Sequence, residues 1–208
     1  MASRRIKPSS LRYYLDGPPD KASLADWRLT LSGNGHLVSA DLDEIAARCH
    51  SVRQLRRFVC VCNWSIAHEW DGYTLADILA TFLDYTGDGT GLHLYQRGIG
   101  TCDKGKYDVS VGLQQALANN ALLVVGIDGV PLALERGAPL RFVDFSRYGY
   151  KSVKGLELLE IRSEPFESVW ENQKSYDPEG TVLPRRYNCV DLDATVQLAL
   201  YGEQKVNP

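Results

Sequence analysis

No stretch of this 208-residue chain approaches the ~20 consecutive apolar residues that a membrane span requires. Residues 1–18 contain Arg4-Arg5 but no apolar core of a secretion signal. Positive charge is not in excess: the formal net charge is −3, so the broad basic face of a nucleic-acid binder is not expected. The five cysteines (Cys49, Cys60, Cys62, Cys102 and Cys189) are odd in number and unevenly spaced. They form neither a disulfide framework nor the paired CxxC of a zinc knuckle, and they suit a reducing compartment. The expectation is a cytoplasmic protein. Four histidines show no HExxH or HxxxH spacing, which argues against a zinc hydrolase. No GxSxG elbow occurs, and neither Gly33-Asn34-Gly35 nor Gly87 to Gly91 completes a dinucleotide or phosphate loop.

What is present is an ordinary globular composition, 44% hydrophobic and 24% charged. A chain of this length buries roughly 70% of its unfolded surface, so its core needs no disulfide. Residues 1–24 are polar and broken by Gly17-Pro18-Pro19, and they read as an arm leading into one domain over 25–208, with a C-terminal extension from about 179.

Alternation over residues 27–31 and 36–39 around Gly33-Asn34-Gly35 predicts a strand, turn and strand. Asp41 or Asp43 is placed to cap a helix reaching about His50. Phe58 to Cys62 reads as a buried strand, on which Cys60 and Cys62 would share a face. Thr74 caps a helix over 75–85 that stops before Gly87. Further strands are expected over 92–95, 107–111, 121–127, 140–145 and 156–162, with a hairpin turn at Asp128-Gly129 and helices over 113–118 and 192–200. The mixture lacks a βαβ rhythm. It predicts an α+β fold with a mixed, barrel-like sheet core and flanking helices.

Two segments carry candidate chemistry. Cys60-x-Cys62, taken alone, is a pair of core thiols, since free cysteine is among the most buried residue types. The stretch from Arg141 through Phe145 to Lys154 gathers Arg141, Arg147, Lys151 and Lys154 around a strand end rich in glycine and serine. Such a group suits a phosphate or another anion. A solvated basic loop is the plainer alternative.

These segments also resemble a known family. Val59-Cys60-Val61-Cys62-Asn63-Trp64-Ser65 is similar to the cysteine motif of the sulfite-oxidase-type molybdopterin-binding oxidoreductases. Trp70-x-Gly72-x-x-Leu75-x-x-Ile78-Leu79, Tyr107-x-x-Ser110 and the hairpin of 121–132 resemble later segments of that family in the same order. Gly137-x-Pro139-Leu140-Arg141, Tyr148-Gly149-x-Lys151-Ser152-Val153-Lys154 and Trp170 complete the resemblance over roughly 25–178.

The resemblance implies a sulfite-oxidase-type fold, a cofactor of molybdenum with molybdopterin, and Cys60 as the thiolate ligand of the metal. It implies that Asn63, Trp64, Arg136, Arg141, Ser152, Val153 and Lys154 bind the cofactor, and that Tyr107 is the phenol of the active site. The implied reaction is two-electron oxygen-atom transfer on a small-molecule or sulfoxide-type substrate, with electrons exchanged with a separate protein or carrier. Trp64-Ser65 stand where sulfite oxidases carry an anion-binding arginine, so sulfite itself is not the implied substrate. A cofactor-free small-molecule binder, cyclase or dehydratase on the same fold is the alternative.

Overall fold

The computed structural model describes residues 24–102 and 105–202; most of the expected arm, 1–24, lies outside them. The hairpin around Gly33-Asn34-Gly35 forms as expected. Strand β1 (Leu29–Gly33) pairs antiparallel with β2 (His36–Ala40). Asp41 then caps α1 (Leu42–Arg48) with a reciprocal capping box, its carboxylate accepting from the Glu44 N–H and the Glu44 side chain from its own N–H.

Strand β3 (Ser51–Cys60) and strand β4 (Trp64–Thr74) form a long antiparallel hairpin. The expected strand over 58–62 therefore starts earlier and ends at Cys60. Val61, Cys62 and Asn63 make the turn, with the Asn63 N–H donating to the Cys60 carbonyl (3.1 Å). Asn63 has φ +65°, a left-handed position that asparagine tolerates better than most residues and that three-residue hairpin loops require. This corrects the shared-face expectation. Cys60 is buried on the strand and Cys62 is exposed on the turn.

Thr74 caps α2 (Leu75–Leu83), whose buried face is Leu75, Ile78, Leu79, Phe82 and Leu83. The helix ends at a left-handed Asp84 and not near Gly87. Strands β5 (His93–Cys102) and β6 (Gly105–Gly112) pair antiparallel, longer than their apolar centres indicate, and α3 (Leu113–Ala118) follows. Then come β7 (Leu122–Ile127), the short β8 (Val130–Pro131) across the Asp128-Gly129 turn, β9 (Arg141–Val143) and β10 (Leu156–Arg162). A short helix, α4 (Val169–Lys174), is capped by Ser168.

The expected helix over 192–200 does not form. In its place are β11 (Arg186–Cys189), a 3-10 turn and β12 (Ala194–Gln197), paired antiparallel across a left-handed Asp193. Thr195 and Val196 are β-branched, and pairing with β11 outweighs the helical spacing of the apolar residues.

The strands build two sheets. One has the order β2-β1-β10-β5-β6, with β1 and β10 parallel. The other runs β12-β11-β4-β7-β8, with β3 along β4 and β9 on β7. Strand β4 holds β3 along its length, while β11 joins it at Trp64-Ser65 and β7 at Trp70 to Thr74. The fold is α+β as expected, but neither sheet closes into a barrel. The largest apolar cluster lies between helices α1–α3 and the first sheet, and includes Leu29, Ile45, Ile78, Leu94, Val111 and Leu159. A second cluster, formed by Phe58, Cys60, Trp64, Trp70, Leu122, Val124, Val143 and Phe145, sits on one face of the second sheet.

Candidate active site

The end of β3 carries Cys60 into this second cluster, with Trp64 opposite it in the hairpin register and Phe58 one step back on the same face. Cys60 is 5% exposed, and its sulfur accepts a hydrogen bond from the Cys62 N–H (3.4 Å). A thiol held at a turn by a backbone donor is better prepared to carry negative charge than one surrounded only by carbon.

The loop after β9 comes to the same place. Gly149 packs face-on against the Phe58 ring, where an added Cβ would stand 2.7 Å from Phe58 Cε1. Only glycine permits that approach, and it brings residues 148–154 beside the cysteine strand. Arg141 lies over the rings of Phe58 (5.5 Å) and Trp70 (5.7 Å), and donates to the Arg136 carbonyl (3.0 Å). Lys154 forms an isolated bridge with Arg141, and its Nζ reaches the neighbouring carbonyl of Glu135 (3.4 Å). The turn at 134–136 thus gathers both cations.

The solvated-loop alternative fails at this point. Arg141 is 0% exposed, Lys151 1%, Arg147 4% and Lys154 6%. Buried cations must be paired. Lys151 meets Glu171 of α4 at 2.6 Å and donates to the Ser110 carbonyl (3.1 Å). Arg147 holds the Glu179 carboxylate (2.8 Å) and Thr181. Burial raises the Glu171 pKa, but hydrogen bonds from Lys151 and Ser168 and the lysine charge outweigh it, and the carboxyl ends below its ordinary value. Asp144 is buried completely and shifts the other way: burial raises it, despite the Ser146 hydroxyl and Arg147.

Ser152 has a different character. Its Oγ is buried and has no hydrogen-bond partner among the described residues. A buried hydroxyl without a partner is costly unless a ligand satisfies it. Like Arg141 and Lys154 it is a buried donor, and an anionic, hydrogen-bonding cofactor would suit donors of these types. Val153 plays a structural part: its side chain is in the main core and its carbonyl accepts from Phe142 (2.9 Å). Arg136 is half-buried, and its charge helps to hold Asp128 below the ordinary range; burial opposes that shift, and bonds from the Glu69 N–H and the His68 ring favour it.

Two phenols lie near this region. The Tyr107 hydroxyl donates to the backbone carbonyl of Tyr150, inside the protein. Tyr176, which the sequence reading did not select, follows α4. Its ring stacks on Trp170 (5.5 Å, 11°) and tilts against Tyr150 (4.9 Å). Burial raises its pKa, and the charges of Cys62 and Cys60 add to the rise. A signal was available in its spacing from Trp170 at the end of a capped helix.

A cavity of about 580 Å³ opens beside the middle of β3, lined by Leu55, Arg56, Arg57, Phe145, Ser146 and Tyr201 among others. It does not include Cys60, and the chemistry lies elsewhere. Among the described residues no three His, Cys, Asp or Glu side chains converge on a common point. A metal at Cys60 would therefore draw its remaining ligands from outside these side chains.

The fold is that of the molybdopterin oxidoreductases. The chain belongs to the oxidoreductase molybdopterin-binding domain family, whose model matches residues 16–170. The cofactor of the family is molybdopterin with molybdenum. The chain is 28% identical over 164 residues to the protein-methionine-sulfoxide reductase catalytic subunit MsrP of Xanthomonas campestris pv. campestris, covering 73% of this chain and 51% of that protein. The MsrP of Xanthomonas axonopodis pv. citri matches to the same extent. The sulfane dehydrogenase SoxCD from Paracoccus pantotrophus superposes with a TM-score of 0.66 at 20% identity, over 81% of this chain and 46% of that one. The likeness to SoxCD concerns the fold alone. The chain spans about half the length of these relatives. No helix among the described residues is long and apolar enough to cross a membrane.

Proposed function

We propose that Cys60 is the protein's ligand to molybdenum and that the site performs two-electron oxygen-atom transfer on a sulfoxide-type substrate. The observation that carries this reading is the position of the Cys60 sulfur. It lies at a strand end under a backbone N–H, with Arg141 over the neighbouring Phe58 ring. Thiolate is a soft ligand suited to a metal that changes oxidation state. When bound, the molybdenum–pterin group supplies the redox change itself.

The chain's own residues hold and orient. Arg141 and Lys154 would bind the anionic part of the pterin by charge-assisted hydrogen bonds, with the Ser152 hydroxyl donating a further one. Trp64 fixes the far side of the thiol, and Asn63 supplies the left-handed turn residue that ends the strand there. Tyr176, stacked on Trp170, would donate its phenolic hydrogen to a substrate oxygen above the sulfur. Tyr107 acts one shell further out, fixing the Tyr150 carbonyl and through it the ring against which Tyr176 rests. The cofactor-free alternative leaves the buried Ser152 hydroxyl unexplained.

The sulfoxide class is supported by the two MsrP relatives. Their description as catalytic subunits supports an electron-carrying partner for this chain as well. We place the protein in the cytoplasm on the thiols of Cys49, Cys62 and Cys189, which stand outside any disulfide among the described residues. Protein produced in a host with an intact molybdopterin pathway should carry stoichiometric molybdenum and pterin, and Cys60→Ser should lose the metal. Wild-type protein from such a host without molybdenum would overturn the assignment.

A further inference from the structure

The function proposed above uses one sulfur at the hairpin tip, but this chain has two. We infer that Cys60 and Cys62 are a redox-active dithiol that closes to a reversible disulfide when peroxide reaches the protein before the cofactor does.

The geometry is local. Cys60 and Cys62 are the first and third residues of a turn closed by the Asn63 N–H on the Cys60 carbonyl (3.1 Å). Such a turn brings even its first and fourth Cα atoms within about 7 Å, so the first and third fall in the range of about 4.4–6.8 Å that a disulfide spans. The Cys62 N–H already rests on the Cys60 sulfur at 3.4 Å, which holds that sulfur against the backbone of Cys62. Exposure is divided between them: Cys62 is open to solvent and Cys60 is not. The other described cysteines are elsewhere. Cys189 is buried against the Ser65 hydroxyl (3.2 Å), and Cys49 belongs to the main core.

The chemistry balances with a peroxide as oxidant. The exposed Cys62 thiolate attacks hydrogen peroxide, the O–O bond breaks, and a sulfenic acid and one water result. The Cys60 sulfur then displaces the hydroxyl from Cys62, forming the S–S bond and releasing the second water. The two thiols give up two electrons and two protons in all, and an external dithiol restores them. If Cys60 is the metal ligand, the closed form cannot accept molybdenum, and bound metal prevents closure. That consequence rests on the function proposed above, whereas the disulfide itself does not.

The test uses the full chain from two hosts, one with and one without the molybdopterin pathway. Each preparation is treated with hydrogen peroxide, alkylated and mapped by mass spectrometry, with and without dithiothreitol. The apoprotein should lose two alkylatable thiols, mapped to a Cys60–Cys62 link and recovered with dithiothreitol. Cys62→Ser should abolish the link. Cys60→Ser should leave Cys62 as a sulfenic acid that dimedone traps. Molybdenum-loaded protein should keep both cysteines unlinked. A stable pair of free thiols in the apoprotein, or a link through another cysteine, overturns the inference and leaves the cofactor assignment standing. A link that forms equally in loaded protein overturns the protective coupling. Absence of molybdenum from the reduced protein made in the competent host refutes the proposed function instead, with the disulfide result unaffected.

Discussion

Lys151 and Glu171 meet at 2.6 Å with side chains only 1% and 3% exposed, and this pair ties the loop after β9 to the helix that precedes Tyr176. A buried ion pair is weak evidence of net stabilisation, but removing one partner strands the other charge in a medium that cannot solvate it. Glu171→Gln should therefore cost about 3–5 kcal/mol of stability, read from the urea midpoint. Replacing both residues by apolar ones of similar volume should recover most of that loss. Equal destabilisation in the single and double variants would show that the pairing contributes little.

Acid should act on the same pair. The Glu171 carboxyl is held below its ordinary 4.5, and Asp191, bonded to Arg57 through both oxygens, below its ordinary 3.8. For a carboxyl whose folded pKa is depressed, the stabilisation is present above the unfolded value and lost as pH falls through the folded one. Urea midpoints should thus fall as pH drops below those ordinary values, and the decline should be shallower in Glu171→Gln. Identical acid limbs in the two proteins would remove Glu171 from the account.

Gly149→Ala adds a methyl group where the Phe58 ring already sits. Overpacking of this kind costs about 1–3 kcal/mol. The displaced loop carries Ser152 and Lys154, so pterin content should fall together with stability. Shortening the opposing ring with Phe58→Leu in the same chain should restore part of both.

Substitution of the two phenols should separate their roles. Tyr176→Phe removes a donor proposed to meet substrate oxygen, worth about 1.5–3 kcal/mol if that oxygen carries charge, or roughly ten- to a hundredfold in kcat. Tyr107→Phe removes a bond to a backbone carbonyl and should cost about 1 kcal/mol of stability with kcat close to wild type. Steady-state kinetics with a methyl sulfoxide substrate and denaturation curves on both variants check this. The reverse pattern would return the catalytic phenol to Tyr107.

Much of the fold was legible because its signals are local. Thr74, Asp41 and the Gly33-Asn34-Gly35 turn act within a few residues of themselves, and each element they bound is where its pattern places it. The strand over 156–162 was legible for the same reason. The segment after Cys189 was not. Its apolar residues satisfy a helical spacing, and only the β11 partner, with the left-handed Asp193 between the two, selects a strand. Cys60, Arg141 and Lys154 could be singled out as candidates from their types and order. Their burial was not legible, since a run of cations reads alike in solvent and against buried carboxylates. Tyr176 was not singled out because its stacking on Trp170 follows α4, which docks through Glu171 in a long-range pairing with Lys151.

The parallel pairing of β11 with the start of β4, together with the Asn188 N–H on the Asn63 carbonyl (3.1 Å), has a consequence for biosynthesis. The hairpin tip that bears the thiol is braced by a segment made more than a hundred residues later. During translation the ribosome must release that late segment before the tip acquires its final support. Support of the tip is thus delayed until residues 186–189 have been made, and a nascent chain halted before Arg186 should present its cysteines unbraced.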